Sequence, residues 1–599
     1  MNQLSKPVYV VSIVLVLLGA GRGRPMRIES SAPPKVGSTE DLLRCSSESE
    51  IGQFGGNLVF AQRSEPKTLN PLIASDGSSK QIIALITADL IHINRYTQGT
   101  ECALARSWEV SASGMQYTLH LRRGLRFSDG QPFDADDVIF SFRAYLDARI
   151  QSPQRDLLTI AGKPITFYKL DPNTIRFELA RPYAAAERIF DSVAILPRHL
   201  LEKPYEGGHL TQVWGLNTPP REMAGLGPFR VKEYVPGQRL VLERNPYFWK
   251  TDAKGNRLPY LNQLIALFVG NADAQAVRFA SSDIDVADRL SASSFLLLQK
   301  DQRTRGFRLY NLGPGLEYSF LFFNLNQFDT TGLSAIREKQ DIFRQVAFRR
   351  AVSVAIDRKA LVRLAYHGLA YPSATFVTPG NKLWVNHAIP EPVASADTAR
   401  QILRDAGFSW TEDGHLRSPE GKTVEFTIAH SATDSQYAEM AALIQRDLEQ
   451  IGMTVKVVPL DFHALLDRVF RTFNYEAVIL SLLSGDTDPN SEINVWRSGG
   501  ATHLWDLSAK PHQPQWQQEI DRLLSEQMVA LDYKKRKSIY DTVQLLIWKN
   551  VPIICLVSQN VLIAAKQQIG NFRPAILSDH TLWNAEQLFL RPGQQLTLR

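Results

Sequence analysis

The strongest constraint on the fold is a change of period between residues 436 and 458. Apolar residues recur at helical spacing from Gln436 to Ile451, Gly452 closes the run, and Val455 to Val458 reads as a strand. Helix, glycine and strand in that order is the rhythm of an α/β chain, in which each helix packs on the sheet that the next strand joins. The rhythm recurs elsewhere. Leu58 to Ala61 reads as a strand and Ile82 to Leu90 as a helix. Tyr117, Leu119 and Leu121 alternate on one face of a strand. Asp134 sits at a helix start with Asp137 in capping-box position, and Val138, Phe142 and Tyr145 or Leu146 form the inner stripe. Phe229 to Tyr234 and Arg239 to Glu243 flank Pro236-Gly237 as a hairpin. Val346 to Ile356 is a helix, and Asp357 caps a second one that ends at Gly368. No period of 20 to 50 residues repeats, which excludes a solenoid.

Such a chain of 599 residues exceeds one core and suggests roughly four compact units. Its 44% hydrophobic and 21% charged residues exclude disorder, a collagen-like chain and a polytopic membrane protein. A net charge of +6, from 67 basic and 61 acidic residues, is too dilute to imply a nucleic-acid partner. Three cysteines are too few for a disulfide scaffold or a Cys-rich zinc module.

The N-terminus supplies an address. Lys6 precedes an apolar run from Val8 to Leu18, and Gly19-Ala20-Gly21 follows. This is the pattern of a secretory signal peptide, assigned to residues 1–24, and the run is shorter than the ~20 residues a transmembrane span needs. An uncleaved anchor is the alternative. No cysteine follows the run directly, so there is no lipoprotein signal. Residues 25–51, rich in Ser, Pro and Glu, read as a flexible leader. Export makes a Cys102–Cys555 bridge chemically possible, but sequence separation gives no geometry and none is expected.

Catalytic and metal motifs are missing. There is no His-Glu-x-x-His, Cys-x-x-Cys or Gly-x-Ser-x-Gly, and Gly421-Lys422-Thr423 lacks the earlier glycine of a phosphate loop. His199/His209 and His503/His512 do not share a helix face, so no metal or other cofactor is assigned. Asp136-Asp137 reads as helix-dipole stabilisation, and Lys534-Lys535-Arg536-Lys537 as a solvated helix face. The balance moves from an enzyme toward a binding protein.

Four blocks in order then carry a resemblance. The first is Leu104 to Val110 with Tyr117 to Gly130 and Phe133 to Val138. The second is Gly225-Leu226-Gly227-Pro228-Phe229 with Glu243-Arg244-Asn245-Pro246-Tyr247-Phe248-Trp249. The third is Arg349-Arg350-Ala351 with Ala355-Ile356-Asp357-Arg358, and the fourth joins Ala406-Gly407-Phe408, Asp413-Gly414 and Ile451-Gly452. Together they resemble the family 5 extracellular solute-binding proteins, the oligopeptide-, dipeptide- and nickel-type receptors of ABC importers, over about residues 52–590. Trp108 and the Tyr117 strand would form a sheet edge.

The resemblance implies an α/β, two-lobed periplasmic-binding-protein-like fold of type II with an extra subdomain. Lobe I would comprise residues 52–88, 214–316 and 559–599, the subdomain 89–213, and lobe II 317–558. The chain would be a periplasmic monomer and not an enzyme. It would capture a short peptide or peptide-like solute and deliver it to the ABC permease and its ATPase subunits. A sugar, a nickel chelate, haem or a peptide-like antibiotic are the alternatives within the family, and a secreted hydrolase the alternative outside it. In peptide-binding relatives an aspartate in a Gly-Asp…Asp-Pro stretch pairs with the ligand's α-ammonium. The matching stretch is Gly485-Asp486-Thr487-Asp488-Pro489, one residue shorter; Asp486 matches the amine-binding position best, with a turn residue capping its own loop as the alternative, and Asp488 reads as an Asp-Pro turn. Tyr318 and Asn324, at the entry to lobe II, and Trp496 and Trp505, soon after Asp488, are further ligand-binding candidates, with a sheet-core role the alternative for Tyr318 and core filling the alternative for the two tryptophans.

Overall fold

The computed structural model describes residues 26–29, 41–45, 49–327, 334–391, 393–432, 435–508 and 513–592. The signal-peptide segment 1–24 lies outside these, as does His512. Among the described residues no helix is long and apolar enough to cross a membrane.

The local expectations translate into elements with small shifts. The period change after residue 435 becomes helix Ser435–Glu449, a turn at Gly452 (φ 90°) and strand Thr454–Leu460. Asp134 and Asp137 form a complete capping box on helix Ala135–Leu146, and Val138, Phe142 and Tyr145 are buried. Gly237, at φ 67°, makes the hairpin turn between Phe229–Val235 and Arg239–Arg244. The helix expected to reach Leu90 instead covers Gly77–Ile86 and ends at Thr87, because Ile91–Ile93 is needed as a strand against Thr100–Cys102.

Ten strands run in one path through the molecule. From one edge they are Phe229–Val235, Arg239–Arg244, Gln263–Phe268, Asn57–Gln62, Val286–Ala287, Ile553–Lys566, Glu317–Phe323, Ala477–Leu483, Glu425–Ser431 and Thr454–Leu460. The 14-residue strand Ile553–Lys566 is the shared member. Its first half pairs with Glu317–Phe323, and its second half with Phe307–Pro314 and Val286–Ala287. Two large apolar clusters lie on either side of that strand's midpoint: one holds buried residues between 58 and 286 with 565–589, the other residues 318–557. A third packs helices Ala272–Ala280 and Ala292–Asp301 on the sheet through Phe279 and Phe295. The chain therefore crosses between halves in the strand pair around Gly315 and Ser558, where Ser558 Oγ donates to the Glu317 carbonyl at 2.8 Å.

A second sheet, in the order Met26–Glu29, Ala105–Val110, Gln116–Leu121, Thr174–Glu178 and Thr166–Asp171, forms the subdomain. Trp108 and Tyr117 thus stand on inner strands, not at an edge, because Met26–Glu29 covers the outer side. Part of the segment read as a leader is therefore docked. Leu43–Arg44 also pairs with Lys250–Thr251, and Ser49 Oγ donates to Gln587 Oε1 at 2.7 Å.

The recurring sequence blocks acquire structural reasons. A Cβ on Gly225 would stand 1.9 Å from the Ile86 carbonyl oxygen, and one on Gly227 2.6 Å from that of Leu85, so the loop crosses the helix end only as glycine. Asn245 and Trp249 of the same block donate to the Gly227 and Leu226 carbonyls at 2.8 and 3.0 Å. Arg349 is buried and donates to the carbonyls of Phe343, Asn550 and Val551, the last two at the C-terminus of helix Tyr533–Asn550. Arg358 donates to the Cys555 carbonyl at 2.6 Å and braces the shared strand. All three cysteines are free thiols.

Candidate functional site between the lobes

Two charged loops meet where the subdomain faces the second lobe. The loop after strand Ala477–Leu483 is tied to itself: Ser484 Oγ donates to the Asp486 carbonyl at 2.7 Å, and Thr487 N donates to Asp486 Oδ1 at 2.6 Å. Asp488 caps the turn that Pro489 begins, accepting from Asn490 N at 3.0 Å. The same carboxylate takes a bidentate pair from Arg536, 2.7 Å on each oxygen, with both side chains only 6% exposed. Arg536 rests over Trp384 and donates also to Gln527. The basic run was expected to be a solvated helix face. Arg536 departs from that because it lies on the inner side of helix Tyr533–Asn550 and a buried carboxylate waits there.

From the other side comes the short helix Ala186–Ile189. Ile189 and Phe190 fill the subdomain core, while Glu187 accepts from Trp108 Nε1 at 3.0 Å and from Thr100 Oγ1 at 2.8 Å. That anchoring leaves Arg188 directed at the second lobe. Its Nη1 meets Asp486 Oδ1, its Nη2 donates to the Gln98 carbonyl at 2.8 Å, and its Nε lies 3.9 Å from Asp488 Oδ2. Burial pushes the Asp486 carboxyl up; Arg188 pulls it down and Asp488 adds to the rise. Two further bonds join the halves, Gln98 Nε2 to the Gly380 carbonyl at 3.1 Å and Ala184 N to the Met528 carbonyl at 2.7 Å.

The first lobe contributes its own charges. His580 bonds Asp288 at 3.0 Å, and Arg289 bonds Glu317 at 2.9 Å across the crossing. Asp579, in the left-handed region at φ 62°, has its carboxyl raised by burial, against the pull of Arg95 and His580. Asp89, His92 and Asp191 have the spacing of a metal site. His92 Nδ1 is 2.9 Å from Asp89 and 3.4 Å from Asp191, and Arg95 reaches Asp191 at 3.3 Å. The two carboxylates hold the imidazolium against its burial, with a pKa of about 10. Two acids balanced by two cations form a closed network in which a metal would displace a proton and face a guanidinium.

The other candidates go elsewhere. Asn324 is 1% exposed and fully engaged, donating to the Phe473 and Tyr475 carbonyls at 2.9 Å and accepting from Asn326 and Gln340. Trp496 and Trp505, at 1% and 2%, are core residues of the second lobe. Trp496 packs on Phe376 with ring centroids 3.8 Å apart. Tyr318 is buried too, its hydroxyl 3.4 Å from Glu492, which itself lines a cavity of about 20 Å³ with Leu316, Phe376, Thr378, Ser484 and Tyr540. That volume holds one water. Of the five residues singled out, Asp486 alone meets the opposite lobe in these contacts. The sequence reading missed Arg188, a lone cation outside every motif and element it read, and Arg536, hidden within a basic run.

The family model for bacterial extracellular solute-binding proteins, family 5, matches residues 100–503. The chain belongs to this family. A probable ABC transporter-binding protein of Deinococcus radiodurans is 28% identical to this solute-binding protein, over 90% of this chain and 92% of its own. The peptide transport periplasmic protein SapA of Salmonella typhimurium is 25% identical, over 84% and 86%. Among solved structures, oligopeptide-binding AppA of Bacillus subtilis in complex with a nonapeptide superposes with a TM-score of 0.69 at 22% identity, covering 90% of this chain and all of its own. NikA of Brucella suis in complex with Fe(III)-EDTA reaches 0.74 at 20% identity with the same coverage. These likenesses give the two-lobed fold. Within it, the Arg188–Asp486 contact joins the subdomain to the second half of this solute-binding protein.

Proposed function

We propose that this protein captures a short peptide or peptide-like solute between its lobes and delivers it to an ABC permease driven by ATPase subunits at the inner membrane. The observation that supports this reading is Asp486, a carboxylate of one lobe facing the other, in a stretch that resembles the one whose aspartate pairs with the ligand's α-ammonium in peptide-binding proteins of the family. A ligand ammonium there would meet an acceptor already oriented by its own loop, so little ordering is left to do on binding. The rest of an extended peptide would be held by backbone hydrogen bonds, with space for its side chains. The protein works by closing over its ligand, as a monomer exported to the periplasm through residues 1–24, and catalyses nothing. Domain limits of 52–88, 214–316 and 559–599 for lobe I, 89–213 for the subdomain and 317–558 for lobe II belong to the same reading.

A second reading is a non-peptide solute such as a sugar or a chelate. What favours it is that Arg188 already balances Asp486, so a ligand need not bring a cation. Native mass spectrometry of protein purified from its own periplasm identifies the co-purified ligand. A peptide library should then raise the unfolding free energy by about 2.7 kcal/mol at a hundredfold excess over Kd. A co-purified saccharide, with no stabilisation by any peptide, would replace the first reading by the second.

A further inference from the structure

In the structure a cation already sits on Asp486, and it comes from the protein. We propose that Arg188 stands in for the cationic end of the ligand: it holds the empty receptor closed through Asp486 and is displaced when a cationic ligand enters. The inference rests on the solute-capture reading and deepens it, making Arg188 a determinant of which ligands bind.

Three features of the contact support this. Arg188 and Asp486 are 298 residues apart and belong to opposite halves, so their pairing exists only in the closed arrangement. The short helix carrying Arg188 is fixed by Glu187 to Trp108 and Thr100, so the guanidinium moves with the subdomain and leaves when the subdomain leaves. The two neighbouring ion pairs also differ in kind. Asp488 and Arg536 are each 6% exposed and both belong to the second lobe, so they stay paired whether or not the lobes part. Arg188 and Asp486 keep 15% and 20% of their side-chain surface, which leaves solvent and ligand a route to the carboxylate.

Competition follows from charge. With Asp488 satisfied by Arg536, Asp486 takes its counter-ion from across the cleft. A ligand ammonium that replaces Arg188 gains only the difference between the two cations, and the closure that Arg188 held must now be held by the ligand. A ligand without a cationic end leaves Arg188 in place. Removing the guanidinium therefore has two consequences: the empty receptor shifts toward the open form, with the Gln98–Gly380 and Ala184–Met528 bonds left between its halves, and amine-bearing ligands bind more tightly.

The test uses the full-length protein, stripped of ligand by unfolding and refolding. Small-angle X-ray scattering compares wild type with Arg188→Gln, Arg188→Lys, Asp486→Asn and the Arg188→Gln/Asp486→Asn double variant. Arg188→Gln and Asp486→Asn should enlarge the radius of gyration equally, the double variant no further, and Arg188→Lys less. Scattering from Arg188→Gln that superimposes on wild type, or expansion without the same effect from Asp486→Asn, overturns the proposal. Calorimetric titration then uses trialanine and N-acetyl-trialanine as probes. Arg188→Gln should tighten trialanine by roughly 5- to 150-fold, the range of coupling between two linked sites, and weaken the acetylated peptide, whose closed complex loses the Arg188–Asp486 contact. Equal gains for both peptides refute competition at the amine seat. If neither peptide binds any of the proteins, the peptide reading fails, while the scattering still decides whether Arg188 closes the receptor.

Discussion

The buried pair Asp488–Arg536 gives the sharpest stability prediction. Arg536 places one nitrogen on each Asp488 oxygen at 2.7 Å, and each side chain is 6% exposed. Asp488→Asn keeps the side-chain volume and an acceptor for the Asn490 amide, so the turn cap survives. What it removes is the charge opposite a guanidinium that cannot reach water. Leaving one member of a buried pair uncompensated costs about 3–5 kcal/mol. Arg536→Met should cost a similar amount by stranding the carboxylate. The double variant leaves neither charge unpaired and should lie within about 1–2 kcal/mol of wild type, giving a coupling energy of several kcal/mol in the double-mutant cycle. The assay is urea unfolding followed by tryptophan fluorescence, at low salt and in 1 M NaCl. Because screening acts on exposed charges, the coupling should survive the salt. Single variants costing under 1 kcal/mol, or a double variant equal to their sum, would refute the reasoning.

Other consequences are independent of that pair. Burial raises the Glu492 carboxyl to about 7, against hydrogen bonds from Trp496, Ser484 and Tyr318. Because the folded value lies above the unfolded one, the folded state keeps its proton longer, and this stability is full below the unfolded pKa and lost as pH rises to about 7. Glu492→Gln should therefore match wild type near pH 4 and exceed it by about 3 kcal/mol above pH 7, read from melting curves at each pH. His503, lowered to about 4 by burial, acts in the opposite direction and cancels in that comparison. Gly225→Ala should cost at least about 3 kcal/mol, since its Cβ would stand 1.9 Å from the Ile86 oxygen; soluble protein with an unchanged melting temperature would contradict the close approach. Trp496→Ala should cost about 3–5 kcal/mol of stability as a lost core residue. If it instead weakened ligand binding at unchanged stability, the indole would belong to the cleft.

Much of the local structure was legible in the sequence because its causes are local. The capping box at Asp134, the hairpin at Pro236-Gly237 and the Gly452 turn each depend on residues within a few positions of one another. The helix end near Thr87 was misjudged because apolar residues continue through Leu90, and only the need for strand Ile91–Ile93 stops the helix. Aromatic residues near a proposed cleft were ambiguous for a different reason. Trp496 and Trp505 carry the same side chain whether it stacks on a ligand or on Phe376, and sequence says nothing about which surface is dry.

By itself the sequence determined the α/β alternation, the caps and turns, and the ordered blocks shared with the family, all set by neighbours along the chain or by motif spacing. Tertiary structure alone decided the charge pairing. Arg536 reaches Asp488 across 48 residues and Arg188 reaches Asp486 across 298, and no periodicity encodes either. Coulomb attraction acts through space and grows as water is excluded, so the partner of a charge is settled only when the lobes have folded and closed.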